Sequence, residues 1–228
     1  MGNNSRARTA LTATGGRRFF WVGAVALIAA FGPAHRAAAE LILNGDFSAG
    51  NTGFGSDYSF IPAPSTSVTP GTFAIRTNPQ AFNAGLAAFG DHTTGTGNMM
   101  VVDGSAGRVW TETVSVVPNA PYFLSAWIAS ASSSNLATLR FSINGTQVGS
   151  DFALPSTAGL WQNFSTTWNA GASTSATLTV ADMNPTPLLA GNDFALDDIS
   201  FVPEPSAIVL LLGLAGMGVL AYRIRRRS

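Results

Sequence analysis

Apolar and polar residues alternate with a period of two along most of the chain between Glu40 and Val202. In Leu139-Arg140-Phe141-Ser142-Ile143 three apolar side chains fall on one face and two polar ones on the other, the pattern of a half-buried strand. Asn144-Gly145 follows at once. Both residues tolerate positive φ, so a tight hairpin is predicted, its return strand beginning at Gln147 and Val148. Tyr122, Leu124, Ala126 and Ile128 alternate with Phe123, Ser125 and Trp127 in the same way. Further strands are predicted at 109–116, 161–168, 176–180 and 194–202. Pro118, Asn119, Pro121, Asn169, Gly171 and the Pro185 to Pro187 stretch mark turns between them. Many short strands at this spacing predict an all-β, jelly-roll β-sandwich over residues 40–201. Residues 50–71, rich in Ser, Thr, Pro and Gly, are expected to form a long loop with one short strand near 58–61. No repeat and no linker divides the domain.

The alternation fails at both ends. Arg6, Arg8, Arg17 and Arg18 precede an apolar run at 19–31, and Ala37-Ala38-Ala39 supplies a small-x-small pattern. Residues 1–39 are therefore expected to be a signal peptide, cleaved after Ala39 with Ala37 and Ala39 as the small residues. Arg17-Arg18-Phe19-Phe20 leaves twin-arginine export open beside the general route, and an uncleaved N-terminal anchor is the plainer alternative. At the other end, Val202-Pro203-Glu204-Pro205 leads into an uncharged apolar run from Ser206 to Tyr222. Seventeen residues at helical rise cover about 25 Å, near the lower limit for a single transmembrane helix. Gly213, Gly216 and Gly218 permit close helix packing. Arg223, Arg225, Arg226 and Arg227 in the tail at 223–228 form a basic stop that faces the cytoplasm under the positive-inside rule. Pro203 and Pro205 are expected to end the preceding strand and leave Glu204 extended and open to a protease.

Taken together, Val202-Pro203-Glu204-Pro205, the apolar run and the arginines resemble the PEP-CTERM sorting signal of Gram-negative bacteria that make exopolysaccharide. The resemblance implies a partner, a membrane-embedded exosortase that cuts near the motif and passes the protein to the cell surface. Export machinery, signal peptidase and the inner membrane are the other implied partners. The alternative is an ordinary C-terminal membrane anchor.

A second resemblance covers roughly residues 41–201. Leu43-Asn44-Gly45-Asp46-Phe47 and Phe194-Ala195-Leu196-Asp197-Asp198-Ile199-Ser200-Phe201 look like the first and last strands of galactose-binding-like jelly rolls, several carbohydrate-binding modules among them. Two more stretches, 97–104 and 120–127, are similar to segments of related bacterial surface domains. In that family a structural Ca2+ often ties the N-terminal region to the final strand, which implies Asp46 and the Asp197-Asp198 pair as ligands. Adjacent residues of a regular strand point to opposite faces, so only one of that pair is expected to face inward, Asp197 being favoured. A plainer reading has Asp46 cap a turn and the other two sit on the rim.

Charge narrows the partners. The chain has no lysine and no cysteine. Only Arg76, Arg108 and Arg140 lie between the leader and the tail, against eleven carboxylates, so that region carries a net charge of −8. A domain this acidic does not hold nucleic acid through its phosphates. Divalent cations and neutral polymers such as exopolysaccharide suit it better, although net charge also serves solubility alone.

Aromatic residues supply the remaining candidate chemistry. Sugars stack their C–H faces on flat rings, and Tyr58, Trp110, Trp127 and Trp161 are candidate carbohydrate-binding residues. Trp161 and Trp168, seven apart, are expected on opposite faces of one strand. Any one such ring in a sandwich is more often core. Catalysis finds little support. His92 is the only histidine beyond the leader, no nucleophile elbow or zinc spacing occurs, and nothing pairs Glu112 with an aspartate as a glycosidase requires. The predicted protein is a non-catalytic surface or matrix component that associates with exopolysaccharide in biofilm or floc. A polysaccharide-modifying hydrolase dependent on Glu112 or Asp91, and a structural protein without a ligand, are the alternatives. Serine- and threonine-rich stretches at 65–69 and 130–134 leave glycan attachment open.

Overall fold

The computed structural model describes residues 39–64, 68–184 and 191–204. All belong to the unit that spans His35–Ser228. The expected signal peptide (apart from Ala39), the transmembrane helix and the arginine tail lie outside the described residues.

Among the described residues eleven strands build two sheets. In chain order they are β1 (Ser59–Phe60), β2 (Thr72–Arg76), β3 (Met99–Asp103), β4 (Gly107–Ser115), β5 (Pro121–Ser130), β6 (Thr138–Ile143), β7 (Thr146–Gln147), β8 (Phe152–Ala153), β9 (Gln162–Asn169), β10 (Ser175–Asp182) and β11 (Phe194–Pro203). One sheet has the order β1-β2-β3-β11-β5-β9; the other runs β4-β10-β6-β7, with β8 also on β6. Every pairing is antiparallel except the short one between β1 and β2. A single apolar core joins the sheets. Trp110, Leu139, Phe141, Leu178 and Val180 come from one, and Tyr122, Leu124, Ile128, Phe164, Phe194 and Phe201 from the other. Phe141 and Phe164 stack across the gap with ring centroids 3.7 Å apart. This is the all-β sandwich that the alternation predicts.

Local chemistry sets several elements directly. In β6 and β10 every second residue is buried, and those residues are apolar except Asp182 at the end of β10. The predicted hairpin turn is present: Asn144 and Gly145 both have positive φ, 51° and 77°. The Asn144 side chain adds an anchor, accepting from the Thr177 N–H at 2.8 Å.

Three features depart from the expected pattern. First, β2 lies in a stretch with no predicted strand, because it is buried on both faces and shows no alternation. Second, residues 77–98, including a 3-10 turn at Pro79–Ala81, fold over the outer face of the six-stranded sheet. There Phe82 and Leu86 make a smaller apolar cluster with Ala74, Met99, Val101 and Ala195. That second layer explains the unbroken run Met99-Met100-Val101-Val102: Met100 and Val102 face the main core, Met99 and Val101 the outer cluster. Third, β11 carries a bulge between Asp197 and Ser200, with Asp198 at φ 47°.

Candidate functional site

The bulge in β11 decides what the two adjacent aspartates do. An extra residue breaks the strict alternation, so both Asp197 and Asp198 face the segment that crosses the outer side of the sheet. Asp197 is fully buried, and its Oδ2 accepts from the backbone N–H groups of His92, at 2.8 Å, and Thr93, at 3.3 Å. Its other oxygen accepts from the Asp198 N–H at 2.9 Å. Asp198 meets the same segment through side chains: Oδ2 lies 2.7 Å from His92 Nδ1, and Oδ1 accepts from the Thr93 hydroxyl at 2.6 Å. Burial and the neighbouring Asp198 push the Asp197 carboxyl up to about 7 despite those N–H donors. The expectation that only one of the pair points inward is corrected by this geometry, since it assumed a regular strand.

The N-terminal motif packs against the same bulge. Ile199 N–H donates to the Gly45 carbonyl at 3.0 Å. A Cβ at position 45 would fall 1.8 Å from the Ile199 oxygen, so the approach requires glycine. Asn44 turns the chain by accepting from Ala49 N–H at 3.0 Å and donating to the carbonyls of Gly50 and Thr52. Asp46 is exposed, and its Oδ1 accepts from both the N–H and the hydroxyl of Ser48. Asp46 thus caps its own turn, and the oxygens of Asp197 are taken up by the 92–93 backbone and its own turn. Among the described residues no group of three or more His, Asp or Glu side chains is arranged to hold a metal ion.

Asp91 shapes the loop that lies on the bulge. Its carboxylate accepts from the N–H groups of Thr94, at 2.9 Å, and Gly97, at 2.7 Å, and from the Thr94 hydroxyl. Burial works to raise its pKa, but these donors win and hold it below the usual carboxylate range. Glu112 does a separate job on β4. It is buried, accepts from the Leu43 N–H at 3.2 Å and borders a shallow cleft of about 370 Å³. Burial raises its pKa, the Leu43 N–H opposes, and Glu40 adds to the rise.

The four candidate aromatic residues separate into two pairs. Trp110 is 1% exposed, inside the sandwich. Tyr58 is also buried, its hydroxyl bonded to the Ser105 backbone. Neither ring has a face open to a ligand, which corrects their assignment as sugar-binding residues. Trp127 and Trp161 are half-buried on the outer face of the six-stranded sheet. His92 stacks on Trp127 with ring centroids 3.8 Å apart and meets Trp161 edge-on at 5.9 Å. Trp161 Nε1–H donates to the Gly90 carbonyl, and Phe89 packs on its ring. Trp168 points into the main core, on the opposite face from Trp161, as their spacing requires.

An open strip extends from this aromatic cluster along β5 and the edge strand β9. Trp127 stands opposite Asn163, Ser125 opposite Ser165, and Phe123 opposite Thr167. Asn163, Ser165 and Thr167 are exposed, and Phe123 is 37% exposed. The strip therefore offers an amide and hydroxyl groups beside a flat ring pair. Sequence reasoning found Trp127 but not the polar partners, because strand register is not written in the alternation of either strand alone.

The C-terminal end of β11 carries the last candidate motif. Val202 pairs with Phe123 and Pro203 with Tyr122, and the Glu204 N–H donates to the Pro121 carbonyl at 3.0 Å. The strand thus runs through Val202 to Pro203, one residue past its expected end at Val202. Pro205 lies outside the described residues.

Residues 201–227 match the family described as the PEP-CTERM protein-sorting motif. The chain is a β-sandwich protein that carries this sorting motif at its C-terminal end. Solved structures similar to it include several carbohydrate-binding modules. TmCBM61, solved in complex with β-1,4-galactotriose, is 13% identical, with a TM-score of 0.46 over 73% of this chain and 100% of that one. A CBM4 structure is 13% identical, TM-score 0.41, over 72% and 99%. The tandem CBM22-1–CBM22-2 domain of Xyn10C from Paenibacillus barcinonensis is 15% identical, TM-score 0.46, over 73% and 46%. No curated protein matches the chain.

Proposed function

We propose that this is an exported, exosortase-sorted protein of the cell surface or extracellular matrix, whose sandwich associates with exopolysaccharide without catalysis. The PEP-CTERM motif at 201–227 carries the sorting half of this reading. In it, the leader directs export, the apolar run at 206–222 holds the chain in the inner membrane, and an exosortase removes the tail. The strip on β5 and β9 supports the second half. The stacked Trp127–His92 pair gives a sugar ring an apolar face, while Asn163, Ser125 and Ser165 supply hydrogen bonds to its hydroxyls. Such contacts are weak singly and gain strength along a repeating polymer. Asp91 and Glu112 are both occupied by backbone N–H groups, Asp91 shaping its loop and Glu112 holding Leu43, which favours structural roles for them.

Two experiments test the two halves. Production of the full chain with and without an exosortase should give a shortened product only when the enzyme is present; an identical product in both cells removes the sorting reading. Retardation in gels containing a panel of exopolysaccharides should be lost in Trp127→Ala and weakened at least fivefold in Asn163→Ala, with the far-ultraviolet circular dichroism unchanged. Equal retardation of both variants and the parent would contradict the strip as the binding surface.

A further inference from the structure

We infer that the domain holds the first half of its own sorting motif inside its sheet, so that tail removal falls C-terminal to Glu204 and leaves the sandwich closed. This rests on the sorting reading above.

Three observations carry it. Val202 and Pro203 are in register with Phe123 and Tyr122 as the last two pairs of the ladder between β5 and β11. The next residue is still tied, because the Glu204 N–H donates to the Pro121 carbonyl at 3.0 Å. Immediately upstream, Phe201 is fully buried, and its backbone is held from the other side as well: its N–H donates to a Glu40 carboxylate oxygen at 2.8 Å and its carbonyl accepts from Leu41 N–H at 3.1 Å.

A protease needs an extended substrate backbone whose N–H and C=O groups are free to pair with the enzyme. Through Glu204 this backbone is already paired with β5. Releasing it costs the ladder bonds, each worth about 0.5–1.5 kcal/mol net, and draws on a strand anchored by Phe201. Pro203 fits this end of the strand: with no N–H it leaves no donor unpaired there. In the folded protein the peptide bond that breaks therefore lies beyond Glu204. Water supplies the hydroxyl of the new carboxyl terminus and a proton to the departing amine. Folding thereby fixes where the mature protein ends, and Val202 and Pro203 stay with the domain as its last sheet residues.

A cross-link distinguishes this from a mechanism in which the strand peels away. Phe123 and Val202 are direct partners on the outer face, and such pairs place their Cβ atoms about 4.5–5.5 Å apart, close to disulfide spacing. The chain has no other cysteine, so the double variant F123C/V202C can form only this bond. It is made as the full chain in exosortase-bearing cells beside F123S/V202S and the parent, and the C-terminal residue of each product is read by mass spectrometry. The inference expects the oxidised variant to be trimmed as fully as the serine control and the parent to end at Glu204 or beyond. It is overturned if the oxidised variant keeps its tail while the serine control loses it, or if the parent ends at Val202 or Pro203. If the cross-linked variant does not accumulate, the parent's C-terminal residue decides alone. A parent still carrying residues 223–228 brings down the sorting reading itself, and is distinguishable from both other results.

Discussion

Asp193 and Asp197 are buried carboxyls that tie the stability of the fold to pH. Burial and the nearby Asp103 push the Asp193 carboxyl up to about 7, against the Gly104 N–H, and Asp197 is raised to about 7 by burial and Asp198. A raised carboxyl contributes stability that is complete below its unfolded value, about 3.9, and is lost as the pH climbs through the folded value. Both residues therefore favour the fold near pH 4 and cease to help by about pH 7. Asp91 acts in the opposite sense, since its depressed pKa stabilises above the usual carboxylate range and is lost on stronger acidification. The optimum should lie on the acidic side of neutrality. Asp193→Asn keeps an acceptor for the Gly104 N–H and removes one titration. Its melting temperature should exceed the parent's by about 3–6 °C at pH 8 and match it near pH 4. Calorimetry at the two pH values reads this directly, and an equal difference at both would contradict a titrating Asp193. The same scale shows what a linear reading misses. The alternation places Trp110 and Tyr58 on strands but not on a side, and their rings prove to be core. The bulge at Asp198 undoes the parity argument for Asp197 because one inserted residue reverses every face beyond it.

Elements were legible in proportion to their exposure on one face. β6, its Asn144-Gly145 turn and β10 could be read because half of each is solvated and half is core. β2 could not, since both of its faces are covered, and β8 is only Phe152–Ala153. The cover over the outer face, residues 77–98, has no periodicity; it is held by particular contacts instead. Phe82 and Leu86 fill the outer cluster, Asp91 ties the loop internally, and Asp197 and Asp198 pin it to β11. Removing the internal tie should loosen this loop selectively. In Asp91→Ala, hydrogen exchange across 91–97 should speed up by about ten- to a hundredfold, as loss of charge-assisted N–H bonds implies, while β5 and β10 keep their protection. Uniform acceleration through both sheets would show instead that Asp91 supports the whole fold.

At the scale of the molecule, the described domain gathers its two ends on one strand. The Glu40 carboxylate accepts from the Ser200 hydroxyl and the Phe201 N–H, and Leu41 bonds to Phe201 as well. The expected signal-peptide junction, after Ala39, therefore lies beside the strand that leads into the sorting motif. In the function proposed above, both flanking segments are processed away to leave the sandwich at the surface. Intact-mass and terminal-peptide analysis of the protein recovered from its native cell surface or medium tests it most directly. The account predicts a chain that begins at Glu40 and has lost residues 206–228. A recovered chain still ending in Arg227-Ser228 would make the tail a permanent anchor and contradict the account.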